Sequence, residues 1–443
     1  MRSMQELLAD LKGLATVAEM QAAADAGAAP AARRAPASRP KTNAHIHLPP
    51  NFSAFESVRQ AIDLAAAQGV TVLGTANYYH YGVYAEFAAL ARAAGIFPLF
   101  GLEVICLIDD LARAGIKVND PGNPGKMYLC GKGLTRFAPM NAAAQAIIDL
   151  IWRNDTSRMT RMIEILARLF DAQGVRTNLT YEAVKDRIVR RHGCPRDTVC
   201  VQERHVALAF QEEVFARVPA ALLRQGFGGL AGRPEVLKRI FGAAAKAADD
   251  PVAVQNDIRT HLMKAGKAAF VEEALITFEQ SYRLVLELGG IPCYPTLADG
   301  ASPICGYEDP VEKLIERLHA GRIYSAELIP IRNQPAVLSH YVKTMRAAGF
   351  VMTGGTEHNT LDLLGIEPTC LKKQPMPDDV KEIFWEGACV AAAHQFLTLH
   401  GQCGYVDGSG ALNPAYATQE ERIASLARLG AAVMERYFRG EDA

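Results

Sequence analysis

From Thr42 onward the chain alternates short apolar runs with amphipathic ones, and this alternation restricts the possible folds more than any other feature. AHIHL (44–48) reads as a strand. SAFESVRQAIDLAAAQ (53–68) reads as a helix opened by Ser53, with Glu56 at the capping-box position. VTVLGTA (70–76) is a second strand, and VYAEFAALARAAG (83–95) is a helix closed by glycine. IFPLFGLEVIC (96–106) is the next strand. Strand–helix repetition of this kind predicts a parallel sheet or a barrel, because parallel neighbours need crossover helices.

The pattern changes near residue 137. Residues 137–285 are almost wholly helical in period, with one helix starting at Thr180-Tyr181-Glu182. Strand signals return at GGIPCYP (289–295), RIYSAELIP (322–330) and GFVMTGGTE (349–357). The expected organisation is therefore an α/β domain, 42–136 and 286–376, interrupted by a helical insert, 137–285. Residues 377–443 read as a C-terminal helical segment, in which GQCGYVDGSG is a turn and not a phosphate-binding loop. Residues 1–41 read as an amphipathic N-terminal helix followed by an Ala/Pro/Arg-rich linker over 21–41.

Bulk properties exclude some function classes. The 443 residues are 49% hydrophobic and 21% charged, with formal net charge −1, so nothing in the overall charge points to nucleic acid or a membrane surface. No apolar run approaches the roughly 20 residues of a spanning helix. No targeting signal is visible, so the cytoplasm is the expected compartment. The nine cysteines are odd in number and scattered, which fits reduced thiols, and Cys194 and Cys200 read as structural.

The chemistry begins at His45 and His47. Residues i and i+2 of a strand share a face, so the two imidazoles project together as a pair of metal ligands. The plainer alternative is a chance His-x-His among 11 histidines. In α/β barrels, catalytic side chains cluster at the carboxyl ends of strands. Those ends supply Thr75, Asn77 and His80, then Glu103, then Glu357 and His358. Glu103 lies inside an apolar strand, where an unpaired carboxylate is costly; its partner is a metal ion or a buried Arg or Lys. His80 and His358 are candidate general acid/base groups, or structural histidines. The stretch Tyr78-Tyr79-His80-Tyr81 places phenols near the site mouth, with Tyr79 a candidate substrate contact or a packing residue. Lys132 and Arg332 follow strands and can bind a substrate anion, or be solvated loop charges.

The order His45-Ile46-His47, Gly101-Leu102-Glu103, a helical insert, Gly289-Gly290-Ile291-Pro292 and Thr353-Gly354-Gly355-Thr356-Glu357 resembles the polymerase and histidinol phosphatase (PHP) family over about 42–365. Arg204-His205-Val206-Ala207 and Gly266-Lys267-Ala268-Ala269-Phe270-Val271 resemble the insert of its nucleoside-bisphosphate phosphatase branch. The resemblance implies a distorted seven-stranded β/α barrel, (β/α)7, and metal-dependent phosphoesterase activity on a small phosphorylated substrate. His45 and His47 match the first two metal ligands, Glu103 the bridging glutamate, and Glu357 stands where aspartate is usual. Other positions depart. Thr75-Ala76-Asn77 replaces Thr-Asp-His, Tyr128 and Asn359 replace histidines, and Tyr294-Pro295-Thr296 replaces Ala-His-Pro.

Four ligands suffice for one divalent ion (zinc, manganese or iron) with positions open for water or substrate, but not for the three ions that relatives hold. The expectation is thus a hydrolase with a reduced metal set. A single-metal enzyme acting on carbon substrates (amidohydrolase, isomerase or lyase) and a non-catalytic binding module are the alternatives. The sequence does not define an oligomeric state.

Overall fold

The computed structural model describes residues 2–27, 40–220 and 232–440. The chain forms two compact units, one of Met1–Leu48, Ala54–Ile148 and Leu275–Ala443, the other of Pro49–Ser53 and Asp149–Ala274.

Among the described residues the first unit carries nine strands: β1 (Lys41–Ile46), β2 (Val70–Thr75), β3 (Phe97–Leu99), β4 (Gly101–Leu107), β5 (Lys126–Lys132), β6 (Ile276–Thr277), β7 (Ile291–Thr296), β8 (Ser325–Leu328) and β9 (Val351–Gly354). They form two sheets, ordered β1-β2-β3 and β6-β4-β5-β7-β8-β9. Parallel bridges between Ile46 and Glu357, and between Tyr78 and Glu103, connect them. The α/β architecture expected from the resemblance is present; a closed seven-stranded barrel is not shown, the strands forming two sheets joined at single bridges. Two local causes interrupt the ladder. At Phe100 the backbone N–H donates to the Gln395 side chain (3.0 Å) and splits one predicted strand into β3 and β4. Beyond β9, Glu357 and His358 both adopt positive φ (64° and 56°), which ends extended pairing.

The sheet is mixed, not wholly parallel: β5 runs antiparallel to both β4 and β7. Between β4 and β5 lies only the five-residue helix Asp109–Arg113, too short to carry the chain back across the sheet. Elsewhere crossover helices cover the strands. The helix Val58–Ala67 is capped by Ser57, whose Oγ accepts from Gln60 N (3.2 Å); Ser53, the expected cap, falls in the other unit. The helix Phe278–Glu287 has a Thr277/Gln280 capping box and packs against β4, β5 and β7, burying Ser281, Leu284, Val285 and Leu286.

The C-terminal helices Asp378–Leu399 and Gln419–Arg439 pack on one another, and the former also packs on β9. Residues 402–412 close as a turn around Asp407, which accepts from Ser409 N and Ala411 N. At the other end, Met4–Lys12 and Val17–Gly27 form two helices where one was expected. Helix therefore occupies the start of the linker predicted for 21–41; residues 28–39 of that linker lie outside the described residues. The second unit is helical and closes on a core that includes Met162, Leu166, Phe170, Phe210 and Leu237. No helix among the described residues is long and apolar enough to cross a membrane.

Candidate metal centre

β1 delivers His45, His47 follows directly after its last residue, and β4 brings Glu103 to both. All three are buried. His45 Nε2 lies 3.2 Å from His47 Nε2, which lies 3.2 Å from Glu103 Oε2. Metal–nitrogen and metal–oxygen bonds of about 2.0–2.2 Å in a tetrahedral shell separate neighbouring ligand atoms by roughly 3.3 Å, so the spacing fits one small cation. Glu103 Oε2 is buried without a hydrogen bond. Its polar neighbour there is His47 Nε2, and a cation between the two would satisfy both.

Glu327 on β8 fixes the protonation of His45. Its Oε1 lies 2.9 Å from His45 Nδ1, and a carboxylate only accepts, so Nδ1 carries the hydrogen. Nε2 of His45 then faces His47 and Glu103, as in the carboxylate–histidine–metal arrangement of known sites. Lys132 Nζ donates to Glu327 Oε2 (2.6 Å) and to the Ala44 carbonyl (3.0 Å). Burial opposes ionisation of both partners, but their mutual attraction wins: Glu327 stays well below the usual carboxylate range and Lys132 above the usual ammonium range.

Tyr78 supports the other ligands. Its ring stacks on His47 (centroids 4.9 Å apart, 13° between planes), and its phenol hydrogen-bonds Glu103. Burial, and then the Glu103 charge, push the phenol pKa far up, so Tyr78 remains a donor. Burial also works against the Glu103 carboxylate, but the imidazoles of His47 and His45 and the Tyr78 hydroxyl hold its pKa down.

His45, Cys130 and Glu327 form a second close group. It does not fit a cation: His45 Nδ1 is already committed to Glu327, the Lys132 ammonium lies beside that carboxylate, and burial raises the Cys130 thiol pKa.

Three of the four expected ligands thus converge, and Glu357 does not join them. Its carboxylate accepts from Arg332 instead. Both line a cavity of about 310 Å³ that Glu103, Tyr78, Tyr128, Asp120 and Asn359 also line. Lys132, expected to follow a strand as a substrate-anion contact or a solvated loop charge, is the buried last residue of β5 and pairs with Glu327. His358 is buried and committed: Thr356 Oγ1 lies 2.8 Å from Nδ1, and Nε2 lies 3.0 Å from the Leu364 carbonyl. Burial lowers its pKa to about 4, so it is placed as a structural neutral imidazole and not as a proton donor. His80 accepts from Gly82 N in a turn and does not line the cavity, nor does Tyr79.

Sequence reasoning missed Glu327, although a carboxylate inside the apolar run Ala326-Glu327-Leu328-Ile329 carries the same signal that singled out Glu103. The structure also accounts for Asn77, where the resemblance leads one to expect histidine. Its amide clamps Leu48, accepting from the backbone N–H and donating to the carbonyl (both 2.8 Å), and so fixes the chain directly after His47.

Comparison with solved structures finds a protein from Bifidobacterium adolescentis proposed to be a metal-dependent phosphoesterase. It superposes with TM-score 0.50 at 13% identity, covering 78% of this chain and 95% of that one. The likeness is one of fold. An amidohydrolase from Chromobacterium violaceum, solved with bound sulfate and no metal, gives TM-score 0.49 at 14% identity, covering 77% of this chain and 96% of that one. No protein-family model and no curated protein matches the chain.

Proposed function

We propose that this chain is a metal-dependent hydrolase of PHP type in which His45, His47 and Glu103 hold one divalent cation. The observation that carries the reading is the convergence of three buried ligand atoms, with His45 already fixed in the ligating tautomer by Glu327. A divalent cation bound there supplies Lewis acidity and makes water nucleophilic near neutral pH. The protein's own groups do the rest. Glu327 and Tyr78 hold the ligands in place, and the buried ligand cluster excludes bulk solvent. Glu103 and Tyr78 both line the cavity, so a substrate held there lies beside the ligand cluster.

The first substrate class is a small phosphorylated molecule. A second reading, hydrolysis at a carbon centre, is favoured by the single fitting cluster among the described residues: one cation does not clamp both the attacking and leaving oxygens of phosphoryl transfer. The test is elemental analysis of protein expressed with added Zn²⁺ or Mn²⁺, combined with turnover of aryl phosphates, esters and amides. We expect about one metal per chain, most of it lost in His45→Ala together with turnover. Wild-type protein holding less than about 0.2 metal per chain and turning over none of these substrates would overturn the proposal.

A further inference from the structure

We propose that Arg332, with Glu357 as its resident counter-ion, forms an oxyanion subsite in the cavity that Glu103 also lines. The inference deepens the hydrolase reading and rests on it for the identity of the ligand as substrate; the subsite itself needs no cation.

Three observations carry it. First, Arg332 donates to Glu357 Oε2 through Nη2 alone; Nε and Nη1 make no hydrogen bond among the described residues, and the side chain is 37% exposed. A guanidinium has five donors arranged to meet a carboxylate or phosphoryl group in a two-pronged contact, so most of its capacity is open to a ligand. Second, Arg332 is rigidly mounted. Its stem lies on Gly300, where an added Cβ would come within 3.1 Å of Arg332 Cβ. The short turn Pro330–Arg332 is tied down by Asn333 Nδ2, which donates to Leu297 O (2.7 Å) and Asp299 Oδ1 (2.9 Å). Third, Glu357 is held at φ 64° by its own backbone, which donates to His45 O (2.9 Å) and accepts from His47 N (2.8 Å). A non-glycine residue persists in this conformation where its surroundings impose it, often at ligand-binding positions.

Glu357 balances Arg332 until an incoming oxyanion takes its place. A cavity of about 310 Å³ suits a metabolite-sized molecule. The substrate therefore carries an anionic group, phosphoryl or carboxylate, gripped by Arg332 beside the reacting centre.

The experiment uses full-length, chelator-treated protein, titrated at constant ionic strength with inorganic phosphate and separately with acetate. Affinity is read from the rise of the thermal midpoint. We expect saturable stabilisation by at least one anion, at least tenfold weaker in Arg332→Gln, intermediate in Arg332→Lys, and severalfold tighter in Glu357→Gln. A response to phosphate alone assigns a phosphoryl group, and to acetate alone a carboxylate. Equal responses in wild type and Arg332→Gln, or none in wild type and Glu357→Gln, overturn the proposal. Metal content, measured in parallel on untreated protein expressed with added Zn²⁺ or Mn²⁺, keeps the two readings apart. Loss of metal in Glu357→Gln makes Glu357 a ligand and removes the subsite. Wild type that takes up no metal on expression with added Zn²⁺ or Mn²⁺, yet binds anions through Arg332, keeps the subsite and sinks the hydrolase.

Discussion

Glu327 joins two jobs in one carboxylate. One oxygen orients His45 and the other neutralises Lys132, all three side chains being buried. Breaking a buried pair strands the remaining charge, so Glu327→Gln and Lys132→Met should each destabilise the protein by about 3–5 kcal/mol. The double variant should cost clearly less than the sum of the two, which urea unfolding of all four proteins will measure. Additive losses would mean that the two groups do not depend on each other. Tyr78→Phe removes only the hydroxyl that holds Glu103. Metal affinity should fall by roughly tenfold or more, with little change in the unfolding midpoint of chelated protein. Unaltered affinity in competition with a chelator would remove Tyr78 from the site.

At the scale of elements, the seam between β1 and the residues after β9 decides whether the ligands meet. Gly355 lies against β1 there; a Cβ on it would come within 2.4 Å of His45 Cβ and 2.9 Å of the His45 backbone. Gly355→Ala must push β1 away, at about 1–3 kcal/mol of strain, and should lower metal occupancy while leaving the helical circular dichroism unchanged. Full occupancy in this variant would show that the seam yields without moving the ligands. How much of this was legible varies along the chain. β1, β2, β7, β8 and β9 follow from apolar runs bounded by turn residues, and the period of two placed His45 and His47 on one face. The break at Phe100 was not legible, because its cause, Gln395, sits 295 residues away. The reversal of β5 was hidden for a similar reason: strand direction depends on how a connection packs, not on its composition.

Across the whole molecule, buried neutral histidines make stability depend on acid pH. Burial lowers His394 to about 4 and, in the helical unit, His205 to about 3. For a histidine depressed below its usual value of about 6.5, the stabilising contribution is complete above that value and declines as pH falls toward the folded one. Each should therefore cost about 2 kcal/mol between pH 7.5 and pH 5, visible as lower urea midpoints at pH 5. His394→Gln should reduce that difference for the unit carrying it. An undiminished difference in the variant would place the titrating group elsewhere.

The sequence by itself determined the α/β alternation, the helical stretch between the strands, and the conjunction of an imidazole pair with a carboxylate in an apolar strand. These are local matters of period and of the cost of burying charge, which neighbouring residues express directly. Tertiary structure alone decided which charge answers which. Arg332 and Glu357 are 25 residues apart and Lys132 and Glu327 are 195 apart, yet both pairs join. Ion pairing depends on separation in space, and only the folded chain sets that separation.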